Sequence, residues 1–333
     1  MVFDPGKRLA DQGEAFLTAL CALACALIHA TASAQSWPTK PVRIVVPFVP
    51  GALTDVAARA LAGELSDQLG QQFVVENRGG AGSTLGTDVV AKSAPDGHNV
   101  VFTDNSFMIS AGLYPKLPYD PIRDLAPVTL AVEAPAIMVA RLELPATSIR
   151  ELVALAKAKP KALTFGSGGQ GSSAHLATEL FLTQAGVEMV HVPFKGVAAA
   201  LAEVVGGRID VTISSVGGAV GHIRAGKVRP LAVTGKERLT ALADAPTFAE
   251  SGYPDYDMVY RFGFLAPAGT PQPVISRLRD EVAKAAGKQR LRDFLASQGA
   301  RPVGSTPAEY AAVIQREIRT WKTVIDKAGV RVE

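Results

Sequence analysis

Cysteine is almost absent from this sequence: its 333 residues include only two, Cys21 and Cys25. Both lie in an N-terminal stretch that is set apart from the rest by its composition, so the remainder of the chain contains none. Disulfides, thiolate metal sites and cysteine nucleophiles are therefore excluded from that remainder together. Its stability must come from a hydrophobic core, which a chain of this length with 48% hydrophobic residues is able to bury.

The sequence also lacks a large excess of positive or negative charge. Lysine and arginine number 34 against 31 aspartates and glutamates, and the resulting net charge of +3 is scattered rather than clustered. This pattern favours neither a nucleic-acid partner nor a polybasic membrane patch. The sequence also has no HExxH spacing for zinc, no phosphate-binding GxxxxGK[ST] loop and no G-x-S-x-G elbow. We therefore expect no cofactor, no metal site and no enzymatic activity.

Particular residues of the sequence bear on two enzyme classes, the dehydrogenases and the serine hydrolases. Gly166, Gly168 and Gly171 match the spacing of the dinucleotide fingerprint, but the next predicted strand ends in HVPFKG (191–196) without the acidic residue that would hold the ribose. This argues against a dehydrogenase. A serine hydrolase that uses Ser172 with one of the scattered histidines stays open, although no specific motif supports it.

Long hydrophobic runs are confined to the N-terminus. Phe16–Ile28 is shorter than the ~20 residues that a membrane span needs. Lys7 and Arg8 precede this run and Ala32-Ser33-Ala34 follows it, which is the order of a secretory signal. We expect residues 1–34 to be a signal peptide that is cleaved near Ala34, and the chain to be exported to the periplasm.

From Pro41 onward, short β-branched runs alternate with alanine- and leucine-rich helical patterns. This alternation predicts an α/β protein whose mostly parallel or mixed sheets are flanked by helices. Because the pattern restarts near Ile137, we predict two lobes with a hinged cleft between them. Lobe 1 would comprise residues 35–135 and 256–333, and lobe 2 residues 136–255.

Four predicted strand-to-helix junctions are rich in glycine, serine and threonine: residues 50–55, 79–84, 166–175 and 214–218. Glycine lets the backbone turn tightly, and free N–H groups at a helix N-terminus attract an anion. Such residues are also common at ordinary turns of α/β proteins. Four of them facing one cleft would favour a small anionic ligand.

A series of short motifs runs in order through the chain. They are WPTKPVRIVVPF (37–48), PGALTD (50–55), VENR (75–78), APDG (94–97), LPYDP (117–121), HVPFKG (191–196), LAPAGTP (265–271) and PVGSTP (302–307). Together they resemble the substrate-binding proteins of tripartite tricarboxylate transporters, the Bug-type periplasmic binding proteins. The resemblance implies a two-lobed type II periplasmic binding protein fold that closes on a small ligand, usually a carboxylic acid. It also implies a monomer that delivers this ligand to membrane transporter subunits.

The resemblance further implies that the loops Phe48–Thr54 and Gly168–His175 hold a ligand carboxylate, partly through water. We expect the neighbouring strand ends to complete the site. The predicted ligand-binding residues are Phe48, Gly51, Ala52, Leu53, Thr54, Thr103, Asn105, Gly171, Ser172, Ser173, His175 and Ser214.

The chain departs from the family pattern at three places. Ala52-Leu53 stands where the family has glycine, which could favour an aromatic or branched acid. Ser214 stands where many relatives have an aspartate, which argues against an amino-acid ligand. Asp104 either repels a dianion or caps the turn that follows it. The predicted function is a non-enzymatic binding protein for transport; a sensory binding subunit and a secreted hydrolase are the alternatives.

Overall fold

The computed structural model describes residues 37–235 and 237–331, so the predicted signal peptide lies outside it. The residues from Lys40 onward form one compact unit, to which all elements below belong. The strands are β1 (Val42–Val46), β2 (Phe73–Asn77), β3 (Asn99–Thr103), β4 (Leu125–Ala140), β5 (Thr164–Ser167), β6 (Val190–Pro193), β7 (Val211–Ser215), β8 (Arg229–Val233), β9 (Val259–Pro267) and β10 (Arg301–Pro302).

The helices alternate with these strands and then form a C-terminal block. They are α1 (Leu53–Leu69), α2 (Thr84–Ala91), α3 (Ser106–Leu113), α4 (Ile149–Ala158), α5 (Ser173–Ala185), α6 (Val197–Val205), α7 (Val216–Arg224), α8 (Gln272–Ala286), α9 (Gln289–Ser297) and α10 (Pro307–Ala328). Within the described residues, no helix is both long enough and apolar enough to cross a membrane.

The strands of the described chain form one sheet in the order β2-β1-β3-β9-β4-β7-β5-β6, with β8 and β10 also paired to β4. The pairs β1–β2, β1–β3, β5–β6 and β5–β7 are parallel, whereas every pair that includes β4 or β9 is antiparallel. The two sheets that the alternation predicts are therefore joined, and β4 is the strand that joins them.

Strand β4 changes partners along its length. Leu125–Pro135 pairs with β9, whereas Ala136–Ala140 pairs with β7 and β8. The restart of the sequence pattern near Ile137 predicts that a new strand begins here. Pro135 has no N–H group to donate to a neighbour, and it stands where the partner changes, so one strand continues through it. The predicted lobe boundary falls at this point, but the division into lobes stays a prediction.

Helix α3 is buried on nearly all sides. Six of its eight residues are 8% exposed or less: Ser106, Phe107, Met108, Ile109, Ser110 and Leu113. Helix α10, which starts with a capping box between Thr306 and Glu309, packs against α3, β4 and α5. Because only Ala111 and Gly112 of α3 are partly exposed, the helix lacks the amphipathic period that identifies a helix in sequence, and the sequence pattern did not indicate it.

Candidate functional site

The first junction connects β1 to α1. Gly51 adopts a left-handed backbone conformation with φ 84°, and the helix starts at Leu53 without a side-chain cap from Ala52. The N–H group of Ala52 lies 3.4 Å from the carbonyl oxygen of Val49. The N–H groups of Leu53 and Thr54 have no acceptor among the described residues. Two backbone N–H groups are therefore open at this helix N-terminus.

Asp55 and Asn77 hold this junction in place. One carboxylate oxygen of Asp55 accepts the Gly51 N–H at 2.9 Å, and the other accepts Arg59 Nε at 3.0 Å and Asn77 Nδ2 at 2.9 Å. Asn77 Nδ2 also donates to the Phe48 carbonyl oxygen at 3.1 Å. Burial alone would raise the pKa of Asp55, but these hydrogen bonds outweigh burial and hold the pKa below its usual value. The carboxylate of Asp55 is thus ionised, and both of its oxygens accept hydrogen bonds from within the protein.

The second junction lies against the first. The backbone of Gly79 approaches Phe48 so closely that a Cβ atom on Gly79 would lie 3.4 Å from the Phe48 carbonyl carbon. Ser83 Oγ, and Thr103 Oγ1 at the end of β3, are buried without a hydrogen-bond partner in the part of the chain that the structure describes. A buried hydroxyl group without a partner is costly, so these two are candidates to bind a ligand. Thr103 is one of the predicted ligand-binding residues. Ser83 is not, although it lies in the predicted junction 79–84.

The residues that follow β3 form internal contacts. Asp104 Oδ1 accepts the Ser106 N–H at 2.8 Å, which is the turn-capping role. Burial raises the pKa of Asp104 to about 6. Asn105 is fully buried; its amide nitrogen donates to Glu317 Oε2 at 2.7 Å, and its oxygen accepts the Arg261 N–H at 2.7 Å. The amide of Asn105 therefore supports the fold, and its predicted role in ligand binding stays a prediction.

The third junction connects β5 to α5. Gly171 has φ +71° and donates its N–H to His175 Nδ1 at 3.0 Å, while Ser172 caps the helix by accepting the His175 N–H. The N–H groups of Ser173 and Ala174 have no acceptor among the described residues. A second helix N-terminus is therefore open, as at the first junction.

The second and third junctions both contact helix α3. Ser110 Oγ, on α3, donates to the Gly82 carbonyl oxygen of the second junction at 2.6 Å. Ser106 Oγ, at the start of α3, lies 3.2 Å from Ser173 Oγ of the third junction. Gly171 lies against Leu113 at the other end of α3. Helix α3 thus links elements that lie on both sides of the point where β4 changes partners.

The fourth junction is arranged differently. Ser215 caps α7 by accepting the Gly218 N–H at 3.3 Å, and Ser214 is buried in β7 opposite Ile137 of β4. A Cβ atom on Gly217 would lie 2.3 Å from the Gln298 carbonyl oxygen, so the start of α7 is covered by the turn that follows α9. The predicted ligand contact of Ser214 stays a prediction.

Two surface depressions lie away from the predicted ligand-binding residues. One of about 500 Å³ is lined by Ala111 and residues 114–121, 123 and 124, and one of about 320 Å³ lies between α1 and α9. Neither is lined by a predicted ligand-binding residue. Within the described chain, no group of three or more histidine, aspartate or glutamate side chains could hold a metal ion. We therefore place the candidate site at the first three junctions, where the open N–H groups and unpartnered hydroxyls lie.

Gly171 offers a direct test of this placement. Alanine there would put its Cβ 2.2 Å from Leu113 Cδ2 and would have to adopt a left-handed conformation, so the strained junction or the Leu113 side chain has to shift. We expect Gly171→Ala to weaken ligand binding by about 10- to 100-fold, which corresponds to one lost hydrogen bond to a charged group. Titration calorimetry measures this. The control is Gly186→Ala, which has a similar φ of +61° but no atom within 4 Å; if both variants bind like wild type, the third junction is not part of the site.

Comparison with known proteins defines the class. Residues 57–330 match the tripartite tricarboxylate transporter family receptor, so the chain belongs to this family of periplasmic substrate-binding proteins. Periplasmic binding proteins among the solved structures share its fold, which confirms the predicted fold class.

Individual relatives give finer detail. The chain is 37% identical to protein BugT of Bordetella pertussis over 93% of this chain and 96% of that protein. A solved structure of an R. palustris protein with adipate is 36% identical with a TM-score of 0.80, covering 89% of this chain and 99% of that one. MatC from Rhodopseudomonas palustris with bound malate is 33% identical with a TM-score of 0.76, covering 87% and 100%.

Proposed function

We propose that this chain binds a small carboxylic acid at the converging junctions and delivers it to the membrane subunits of a tripartite tricarboxylate transporter. It does so as a monomer in the periplasm, after removal of the signal peptide near Ala34. Adipate and malate in two relatives are both small dicarboxylates, which supports this ligand class. Membership of a receptor family supports binding rather than catalysis.

The observation that carries the proposal is the pair of open helix N-termini. Leu53 and Thr54 on α1, and Ser173 and Ala174 on α5, leave N–H groups without acceptors in the described residues. Each helix end stabilises an anion by roughly 0.3–1 kcal/mol when exposed and by up to ~2 kcal/mol when partly buried. Two such ends suit carboxylate oxygens and disfavour a cation.

The contacts of Ser172 argue against the hydrolase alternative. Its Oγ accepts a backbone N–H from His175 as a helix cap. The Nδ1 atom of the same histidine accepts the Gly171 N–H. A nucleophilic serine needs a base within hydrogen-bond reach, and here both groups are used to form the junction.

Thermal unfolding with a panel of acids tests the proposal. The protein is first unfolded and refolded to release retained cargo, and then heated with acetate, malate, adipate or citrate. An acid at about 100 times its dissociation constant should stabilise the fold by roughly 2.7 kcal/mol and raise the Tm by several degrees. Gly171→Ala should show a smaller shift and Gly186→Ala a full one. Shifts with sugars or ammonium compounds but with no acid would reject the carboxylate ligand.

Delivery needs a separate experiment. The ligand-loaded protein should be retained by detergent-solubilised transporter membrane subunits, and the ligand-free protein should be retained less. Retention by a membrane sensor kinase instead would support the sensory alternative and reject transport.

A further inference from the structure

Two histidine rings are stacked beneath the third junction. The ring centroids of His175 and His191 are 3.7 Å apart and their planes differ by 9°. Phe165 stacks on His191 at 4.9 Å between centroids. His175 and Phe165 are fully buried and His191 is half-buried. The three stacked rings therefore pack beneath Ser167–Gly171 and restrict its movement.

Each imidazole is bonded to one end of this segment. His191 Nε2 lies 2.6 Å from Ser167 Oγ, and Ser167 Oγ accepts the Gly169 N–H at 3.1 Å. At the other end, His175 Nδ1 accepts the Gly171 N–H at 3.0 Å. The N–H groups of Gly169 and Gly171 are thus occupied within the protein, whereas those of Ser173 and Ala174 are open.

The hydrogen bonds require a neutral His175. Since the Gly171 N–H donates to Nδ1, this nitrogen carries no proton, and the proton is on Nε2, which lies 3.6 Å from Glu179 Oε1. The positive end of α5 disfavours a charged ring at this position. Burial lowers the pKa of His191 to about 4, so this ring is also neutral at pH 7.

We propose that His191 and Ser167 are positioning residues of the binding site: stacked and bonded beneath the junction, they hold its backbone so that the free N–H groups of Ser173 and Ala174 face the ligand. This inference rests on the proposed function, because it assumes that the third junction binds the acid. It assigns a role to two residues that contact the junction rather than the ligand.

The first measurements are made without ligand. In the wild-type protein, the imidazole nitrogen shifts of His175 should show a neutral ring with its proton on Nε2. The amides of Gly169 and Gly171 should exchange slowly with solvent. His191→Phe keeps an aromatic ring in the stack but loses the bond to Ser167, and Ser167→Ala loses the same bond from the other side. Both variants should exchange the Gly169 amide at least tenfold faster.

Ligand affinity is measured next, with adipate and malate. Both variants should bind about five- to tenfold more weakly than wild type, while His191→Phe keeps a Tm within a few degrees of it. His191→Gln, which restores a hydrogen-bonding group without the stack, should recover part of the amide protection. The control His222→Phe changes a histidine on α7 and should change none of these values.

The outcomes separate the two proposals. If the wild-type protein binds no acid while the tautomer and slow exchange are observed, the proposed function fails and the arrangement of the junction stands. If acids bind to wild type and His191→Phe with the same affinity, or if His175 carries its proton on Nδ1, the positioning role is overturned and the proposed function stands.

Discussion

Replacing Arg261 with methionine is expected to lower the free energy of unfolding by about 3–5 kcal/mol. Arg261 is 7% exposed and pairs through its guanidinium group with Glu317, which is 5% exposed. Its other nitrogens lie 3.0 Å from Asp257 Oδ1 and 3.4 Å from Glu133 Oε1. Removing the guanidinium leaves a buried carboxylate without its cation, and that loss is far larger than the loss of an exposed pair.

The pKa of Glu317 gives this prediction a pH dependence. Burial raises the pKa of Glu317, although Arg261 and hydrogen bonds from Trp321 and Asn105 oppose that rise. Without Arg261, the pKa should rise further, and Glu317 should take up a proton on folding. A group whose pKa is raised in the folded state costs less stability as the pH falls. The deficit of Arg261→Met should therefore shrink from pH 8 towards pH 5.

Urea unfolding of matched variants measures both effects. Arg261→Met/Glu317→Gln removes the buried charge as well as its partner, and it should recover at least half of the deficit. Arg123→Met removes an arginine whose side chain is 79% exposed and which pairs with Asp120; it should cost at most about 1 kcal/mol. A deficit of Arg261→Met that does not exceed that of Arg123→Met would show that this network contributes little.

Much of the fold could be predicted because it follows local patterns. The strands β1, β2 and β3 are short β-branched runs, and α10 carries its own start signal at Thr306. By contrast, α3 could not be predicted, because a helix that is buried on nearly all sides has no polar face. Since the second and third junctions both contact α3, its absence from the sequence pattern also concealed how they meet.

The candidate site could likewise be predicted from the sequence only in part. The glycine and serine composition of the junctions predicted open N–H groups, and the structure has them at the first and third junctions. The hydrogen bonds that hold them could not be predicted, because they join residues far apart in sequence, such as Asn105 with Glu317 and Ser167 with His191. Only packing brings such pairs together. The position of Asn105 after β3 predicts a ligand contact, which stays a prediction; that its amide also contacts α10 and β9 could not be predicted.

The second large effect has the opposite sign: Asp104→Asn is expected to raise the free energy of unfolding at pH 7 by about 2–3 kcal/mol. Burial, opposed by hydrogen bonds from Ser106 and assisted by Glu317, raises the pKa of Asp104 from 3.8 to about 6. A shift of this size corresponds to about 3 kcal/mol at 1.36 kcal/mol per unit. Asparagine keeps an oxygen that can accept the Ser106 N–H, so the variant removes the charge and leaves the cap.

The sign of the pH dependence identifies the cause. Asp104 titrates near 3.8 unfolded and near 6 folded, so the folded state binds the additional proton between those values. The cost of its charge is fully present above about pH 6 and disappears below about pH 4. His191, with its pKa lowered to about 4, acts in the opposite sense over part of this range. The quantity to follow is therefore the difference in free energy of unfolding between Asp104→Asn and wild type. The contribution of His191 is the same in both proteins and cancels in this difference.

Asp120→Asn is the matched control, because hydrogen bonds from the Arg123 and Ile122 N–H groups lower the pKa of Asp120 instead of raising it. Its carboxylate is stabilised when ionised, so this variant should be less stable than wild type at pH 7, the reverse of Asp104→Asn. Urea midpoints at pH 4, 5.5 and 7 compare the two. If Asp104→Asn is destabilised at pH 7, its carboxylate has a partner that offsets burial. If it is stabilised equally at all three values, uncharged packing rather than ionisation is the cause. A gain that grows with pH, beside unchanged adipate affinity, would show that this aspartate is retained at a cost to stability that ligand binding does not require.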